Sequence, residues 1–292
     1  MDSKEYEIVF AGCNSIHYSK QITVYIVPPA KPDENTGIMH FAHGWGGNRF
    51  QYREMQKDFS NRYNLFCVST EYRQSGFDCN PVTGAGACIP YDASNMQVID
   101  CLNAVRKTIE LHPAIDKSRI ISFGGSQGGH IAILMSIFCP DTFALAISCS
   151  GISHMTPGIT AWAGRDFSED ELAIRNLVGM VSLIRCPVVL MHGTADSIVS
   201  DIHTRELESA LCKEGKELRV KYYEGGGHAL EPVSDRKTAT MENADDLIKN
   251  SRNEKSIDFN KKSKVEIQCV RKKFVIDWSK SIDDSGLAAW EN

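Results

Sequence analysis

Ser126 stands in Gly124-Gly125-Ser126-Gln127-Gly128, between a short apolar run (Ile120, Ile121, Phe123) and a second one from Ile131 to Phe138. The first run reads as a buried strand and the second as a helix. A serine at so sharp a strand-to-helix turn is exposed at the end of a sheet, where its hydroxyl can attack an acyl carbon. The flanking glycines permit backbone angles and close approaches that a side chain would block. The helix that starts just after Ser126 directs its free N–H groups and positive dipole end toward charge developing at the serine oxygen.

A serine hydroxyl is a weak nucleophile until a base takes its proton, and that base needs an acid to orient it. In a doubly wound sheet both partners belong on loops at the carboxyl ends of later strands, in the order serine, acid, histidine. The apolar run 187–191 leads into His192-Gly193-Thr194-Ala195-Asp196, which places Asp196 in the turn beyond a buried strand. Asp201 is the alternative acid, although it reads better as the N-cap of the helix that follows. Of the nine histidines, two follow Asp196. His203 falls in the first turn of a predicted helix and is expected at the surface. His228 follows the run 218–223 through Glu224-Gly225-Gly226-Gly227, a flexible loop able to bring an imidazole back over the sheet, and is the expected base. A tetrahedral intermediate also needs N–H donors for its oxyanion. Gln127 N–H is one; the second comes from His43-Gly44-Trp45-Gly46-Gly47, with Trp45 N–H assigned and Gly46 as the alternative.

The elements that must carry these groups are legible. Short strands are predicted over residues 6–11, 22–27, 37–42, 65–70, 120–123, 143–148, 187–191 and 218–223, with helical segments near 49–62, 92–112 and 201–213. Strands alternating with helices imply a doubly wound, mostly parallel sheet of about eight strands with helices on both faces. This α/β domain spans residues 1–254. Within it, 152–185 is an insertion whose Ser168-Glu169-Asp170-Glu171 start signals an amphipathic helix, either an ordinary crossover or a small lid. Residues 71–90 form a long loop rich in Gly, Asn and Pro. Residues 255–292 are a C-terminal extension expected to form a β-hairpin, with strands near 265–270 and 274–278.

The 292 residues carry a net charge of -5, which argues against a nucleic-acid or anionic-membrane partner. No apolar stretch is long enough to span a bilayer. The first residues lack the basic start and apolar core of a signal peptide, so a cytoplasmic location is expected. Ten cysteines are present without a C-x-x-C pair, and no metal or cofactor is expected. Cys79 and Cys88 share one loop, and spacing leaves their pairing open.

His43-Gly44-Trp45-Gly46-Gly47, Gly124-Gly125-Ser126-Gln127-Gly128-Gly129-His130, His192-Gly193-Thr194-Ala195-Asp196 and Gly225-Gly226-Gly227-His228 occur in order at successive strand ends. Together they resemble the α/β-hydrolases, in particular the single-domain esterase and prolyl-oligopeptidase-like branch, over about residues 20–250. The extension after about Glu254 has no counterpart in that pattern. The resemblance implies hydrolysis of an ester, thioester or amide through a covalent acyl-enzyme without a cofactor. The leading expectation is a serine esterase acting on a small or medium carboxylic ester, with Ser126, Asp196 and His228 as triad. An acylaminoacyl-type exopeptidase is the alternative; it would need charged groups to hold a peptide end, and Glu71 and Arg73 offer one of each sign. Substrate contact is expected from Gly44, Gly46, Tyr72 and Arg73. A sugar-ester deacetylase and a non-catalytic binding protein on the same fold are further alternatives. The expected partner is a small ester or short peptide; the oligomeric state is left open.

Overall fold

Strands in this chain alternate apolar side chains to both faces, and the computed structural model, which describes residues 4–13 and 21–292, shows how each face is covered. Eight strands form one sheet: β1 (Tyr6–Ala11), β2 (Gln21–Val27), β3 (Gly37–Ala42), β4 (Leu65–Glu71), β5 (Ile120–Gly125), β6 (Leu145–Cys149), β7 (Val188–Gly193) and β8 (Leu218–Tyr223). Their spatial order is β1-β2-β4-β3-β5-β6-β7-β8. β1, β2 and β4 pair antiparallel, and the rest of the sheet is parallel. β3 through β7 are buried along their whole lengths, as parallel strands covered on both sides must be.

The longer helices are α1 (Arg53–Tyr63), α2 (Asn95–Leu111), α3 (Gln127–Phe138), α7 (Ile202–Lys213) and α8 (Arg236–Asn250); between α3 and α7 lie the short α4 (Pro157–Trp162), α5 (Glu169–Ala173) and α6 (Leu177–Met180), and α9 (Asp258–Lys261) follows α8. Side-chain alternation sorts them into layers. Ile120, Val188 and Leu190 join the core formed with α2, α3 and α7, whereas Ile121, Phe123, Val189 and Met191 join the core formed with α1 and α8. The chain leaves β3 for β4 on one side and β5 adds on the other. That reversal opens a crevice beyond the carboxyl ends of β3 and β5, where ligands of open α/β sheets bind.

Two regions depart from the sequence expectation. The insertion does not form one amphipathic helix. The capping box at Ser168 and Glu171 starts α5 as predicted. The chain then breaks, because the buried Arg175 guanidinium is drawn to the Ala93, Glu171 and Asp92 carbonyls. Asn176 restarts it by accepting from Gly179 N–H.

In the C-terminal extension a third strand, β11 (Ala288–Glu291), joins the antiparallel pair of β9 (Lys264–Gln268) and β10 (Lys273–Asp277), in the order β11-β10-β9. The extension is fused to the main core. Trp278 is fully buried and its indole N–H donates to the Phe138 carbonyl at 3.2 Å. Phe274 packs on Phe138, and the buried Asp258 carboxylate accepts from Asp141 N–H and the Thr142 and Ser263 hydroxyls. Trp278→Ala should therefore cost about 3–5 kcal/mol, read as a lowered urea midpoint; an unchanged midpoint would mean that the extension is a dispensable appendage.

Candidate active site

Ser126 follows β5 directly, with φ 60 and ψ -128, a backbone conformation that costs a non-glycine residue on the order of 1–3 kcal/mol. Surrounding structure holds it there. Ser126 N–H donates to the Cys149 carbonyl at 2.9 Å, and α3 begins at the next residue. A Cβ at Gly128 would overlap the Ala42 and His43 carbonyl oxygens, so glycine is what lets α3 press against the end of β3. That approach carries the 43–47 turn up to the serine: a Cβ built at Gly44 would lie 3.5 Å from the Ser126 Cβ.

The 43–47 turn is held by its own hydrogen bonds. The Gly44 carbonyl accepts from His43 Nδ1–H at 2.9 Å and from Gly47 N–H at 3.0 Å. Because a carbonyl can only accept, the His43 proton sits on Nδ1. Burial pushes the His43 pKa down to about 4 against the opposing Gly44 bond, so the ring is neutral. Fixing the Gly44 carbonyl also fixes the Trp45 N–H of the same trans peptide, which points the opposite way. The Gly46 carbonyl accepts from Gly86 N–H at 3.0 Å and ties the turn to the long 71–90 loop. The Trp45 ring lies 4.4 Å from Tyr91 and meets the half-exposed Trp162 of α4 edge-on at 5.8 Å.

Gln127 opens α3, so its N–H has no acceptor within the helix. Its buried side chain points the other way, accepting from Tyr91 hydroxyl at 3.0 Å and donating to Gln97 Oε1 at 2.8 Å and Ser94 Oγ at 3.3 Å. Tyr91, Ser94 and Gln97 thereby brace the first turn of α3. Spacing gave no sign of these three residues.

Asp196 and His228 meet. His228 Nδ1 lies 2.7 Å from Asp196 Oδ2, leaving Nε2 as the ring nitrogen available to the serine. Asp196 Oδ1 accepts from Ile198 N–H and Val199 N–H at 2.9 and 3.0 Å. A second histidine, His192 at the end of β7, brings Nε2 to 3.2 Å from Asp196 Oδ2 and 2.9 Å from the Val199 carbonyl. Burial alone would raise the Asp196 pKa, but the bonds from His192, His228, Val199 and Ile198 outweigh it and hold the carboxyl well below the usual carboxylate range. Sequence order gives no sign of His192, which precedes Asp196; the pairing depends on how the 193–199 turn folds back. Asp201, the alternative acid, pairs with Arg205 instead.

Four sequence expectations are corrected by burial. His203 is not at the surface: it is 6% exposed and accepts from Ser153 N–H at 3.2 Å, because the insertion packs over the start of α7. Tyr72 is fully buried, stacked on His43 at 3.9 Å with its hydroxyl donating to the His43 carbonyl, so it supports the 43–47 turn and cannot touch substrate. Arg73, 4% exposed, is spent on Asp100 through Nε at 2.8 Å and a terminal nitrogen at 2.6 Å. Glu71 is likewise enclosed, accepting from Arg49 and Phe77. None of these groups is available to hold a peptide end.

Residues 89–251 match the prolyl oligopeptidase family, peptidase S9, over more than half of the chain. The chain belongs to that family. It is a family of serine hydrolases, and the eight-stranded sheet is the α/β-hydrolase fold. Among related sequences, the uncharacterized peptidase YtmA of Bacillus subtilis is 29% identical over 152 residues, covering 47% of this chain and 58% of that protein. The acylamino-acid-releasing enzyme of Arabidopsis thaliana is 26% identical over 162 residues, covering 49% of this chain and 21% of that one. The chain thus matches between about a fifth and three fifths of these relatives' lengths. The Pyrococcus horikoshii acylaminoacyl peptidase superposes with a TM-score of 0.66 at 20% identity, over 88% of this chain and 44% of that one. Thermogutta terrifontis esterase 2, solved phosphoramylated by tabun, superposes with a TM-score of 0.60 at 19% identity, over 83% and 93%. Likeness at that identity speaks for the fold. Among the described residues no helix is long and apolar enough to cross a membrane.

Proposed function

We propose that the protein hydrolyses a small or medium carboxylic ester through an acyl-enzyme, with Ser126 as nucleophile, His228 as general base and acid, and Asp196 as its orienting carboxylate. The observation that carries this reading is the 2.7 Å Asp196–His228 bond, with the Arg236 guanidinium touching both the His228 carbonyl and the residue before a strained serine at the start of α3. Ser126 Oγ attacks the acyl carbon while His228 Nε2 takes its proton. The oxyanion is received by the N–H groups of Gln127 and Trp45, the second oriented by the His43–Gly44 bond. Collapse of the intermediate expels the alcohol, protonated by His228, and water then releases the acid by the same route.

A second reading, an N-acyl-peptide hydrolase, is favoured by the names of the Arabidopsis and Pyrococcus proteins. The enclosure of Glu71 and Arg73 weighs against any mode that grips a charged peptide end through them. A panel of p-nitrophenyl acyl esters beside N-acyl-amino-acid nitroanilides separates the two. Ester turnover with inert anilides supports the esterase; anilide turnover at comparable kcat/KM replaces it with the peptidase.

Asp196→Asn preserves size but removes the charge that holds His228 in the required tautomer. It should lower kcat by about 10⁴-fold while the fold is kept. A loss under tenfold, measured on the best ester of the panel, would remove Asp196 from the triad.

A further inference from the structure

Arg236, the first residue of α8, follows Asp235, whose side chain caps the helix by accepting from Lys237 and Thr238 N–H. That cap aims the arginine inward, under the serine turn. Its terminal nitrogen donates to the His228 carbonyl at 3.0 Å, and the other lies 3.4 Å from the Tyr52 hydroxyl. The same guanidinium covers Gly125: a Cβ built there would stand 2.7 Å from Arg236 Cζ and 2.7 Å from the Tyr52 hydroxyl. One planar group therefore touches both the residue before Ser126 and the backbone of His228.

Arg236 is half-buried, and its partners differ from those of most enclosed arginines. Arg73 and Arg175 have carboxylates within 4 Å, at Asp100 and Asp92. Among the described residues Arg236 has none, as is also true of Arg119, and the Nε of each has no hydrogen-bond partner. The contacts of Arg236 are instead to the His228 carbonyl, the Tyr52 hydroxyl and the serine turn. The His228 loop also needs a restraint. Gly225, Gly226 and Gly227 give it large backbone freedom; the Ala195–Gly226 and Gly227–Glu231 backbone bonds pin its base, and Asp196 holds the ring. The backbone of His228 itself is held by Arg236.

We infer that Arg236 is a positioning residue for His228, clamping the histidine's own carbonyl against the back of the serine turn so that Nε2 is registered on Ser126. This rests on the reading of Ser126 and His228 as nucleophile and base. The requirement for glycine at 125 follows from the same clamp, since the guanidinium occupies the space a side chain would take.

The test uses the full-length protein with a fluorophosphonate probe and p-nitrophenyl butyrate. Arg236→Met should lower kcat roughly 10–100-fold, as expected for a reacting group displaced by about 1 Å, with KM changed less than about threefold. Arg236→Lys, which keeps the charge and one donor, should recover part of the loss. Gly125→Ala, which pushes the guanidinium away, should reproduce the kcat defect, and the double variant Gly125→Ala/Arg236→Met should be no worse than the poorer single one. Arg236→Met with kcat within about twofold of wild type, or losses that multiply in the double variant, overturns the proposal. If Arg236→Met does not fold, Gly125→Ala decides: wild-type kcat there overturns it. Probe labelling separates the two layers, because an unlabelled wild type defeats the triad reading, whereas a labelled wild type with unaffected variants defeats only the clamp.

Discussion

Ser126→Ala is expected to remove fluorophosphonate labelling altogether and to lower ester hydrolysis on the order of 10³–10⁶-fold. The size of the effect follows from the route. Without Oγ there is no acyl-enzyme, and His228 with Asp196 has no alcohol to deprotonate; what remains is binding and the Gln127 and Trp45 amides acting on direct attack by water. The variant should keep its fold. Alanine is no easier than serine to hold at φ 60, and the restraints on that conformation are the Ser126 N–H bond to Cys149 and the packing of α3 on β3, neither of which uses the hydroxyl. A melting temperature close to wild type with activity gone is therefore the expected pair of results. Ester turnover surviving in purified Ser126→Ala would place the nucleophile elsewhere and dismantle the proposed mechanism.

The second large effect is on stability in acid. Four buried histidines have burial as the main cause of a lowered pKa: His40 and His130 to about 3, and His43 and His203 to about 4. They stay neutral in the folded chain to well below pH 6.5, their ordinary value, whereas in the unfolded chain they take up protons from pH 6.5 downward. The unfolded state then binds more protons, so their stabilising contribution is present above about pH 6.5 and is lost as pH falls toward 4. Each such group loses about 1.2 kcal/mol between pH 6 and pH 5, so four lose about 5 kcal/mol, comparable with the whole stability of many domains. Asp141, held at about 2 by Lys261 and Arg185 against the opposing effect of burial, adds to the loss only further into acid. Melting curves at pH 7, 6 and 5 should fall by about 10 °C or more in the last step. A melting temperature flat across that range would show that these rings are accessible and already share their protonation with solvent.

Most of what positions the proposed chemistry could be read from residue order. Ser126, Asp196 and His228 were picked out because each follows an apolar run long enough to be a buried strand, and a parallel sheet puts every such carboxyl end on one edge. The same regularity fixed the eight strands and the turn after β3, and glycines at 124 and 128 announced a close approach before the neighbour was known. Local rules failed where the outcome depended on what lies across the fold. Tyr72 and Arg73 sit in a glycine-rich loop and look available; only packing shows that His43 and Asp100 have taken them. His203 follows a helix start and looks exposed, until the insertion covers it. The insertion's helix is broken by an arginine answering to carbonyls some eighty residues earlier in the chain, and the third strand of the extension is too short to carry a pattern.

The amino-acid sequence by itself determined the class of sheet, the turn that carries Ser126 and the order in which Asp196 and His228 follow it, because these rest on periodicity of two or 3.6 residues and on glycine's backbone freedom, which are properties of neighbours in the chain. Tertiary structure alone decided that His192 shares the Asp196 carboxylate, that Tyr91, Ser94 and Gln97 brace Gln127, and that Arg236 reaches both Gly125 and His228. Those are contacts between side chains far apart in sequence, and the energy of a buried charge or hydrogen bond depends on which partners the folded chain brings within about 3 Å.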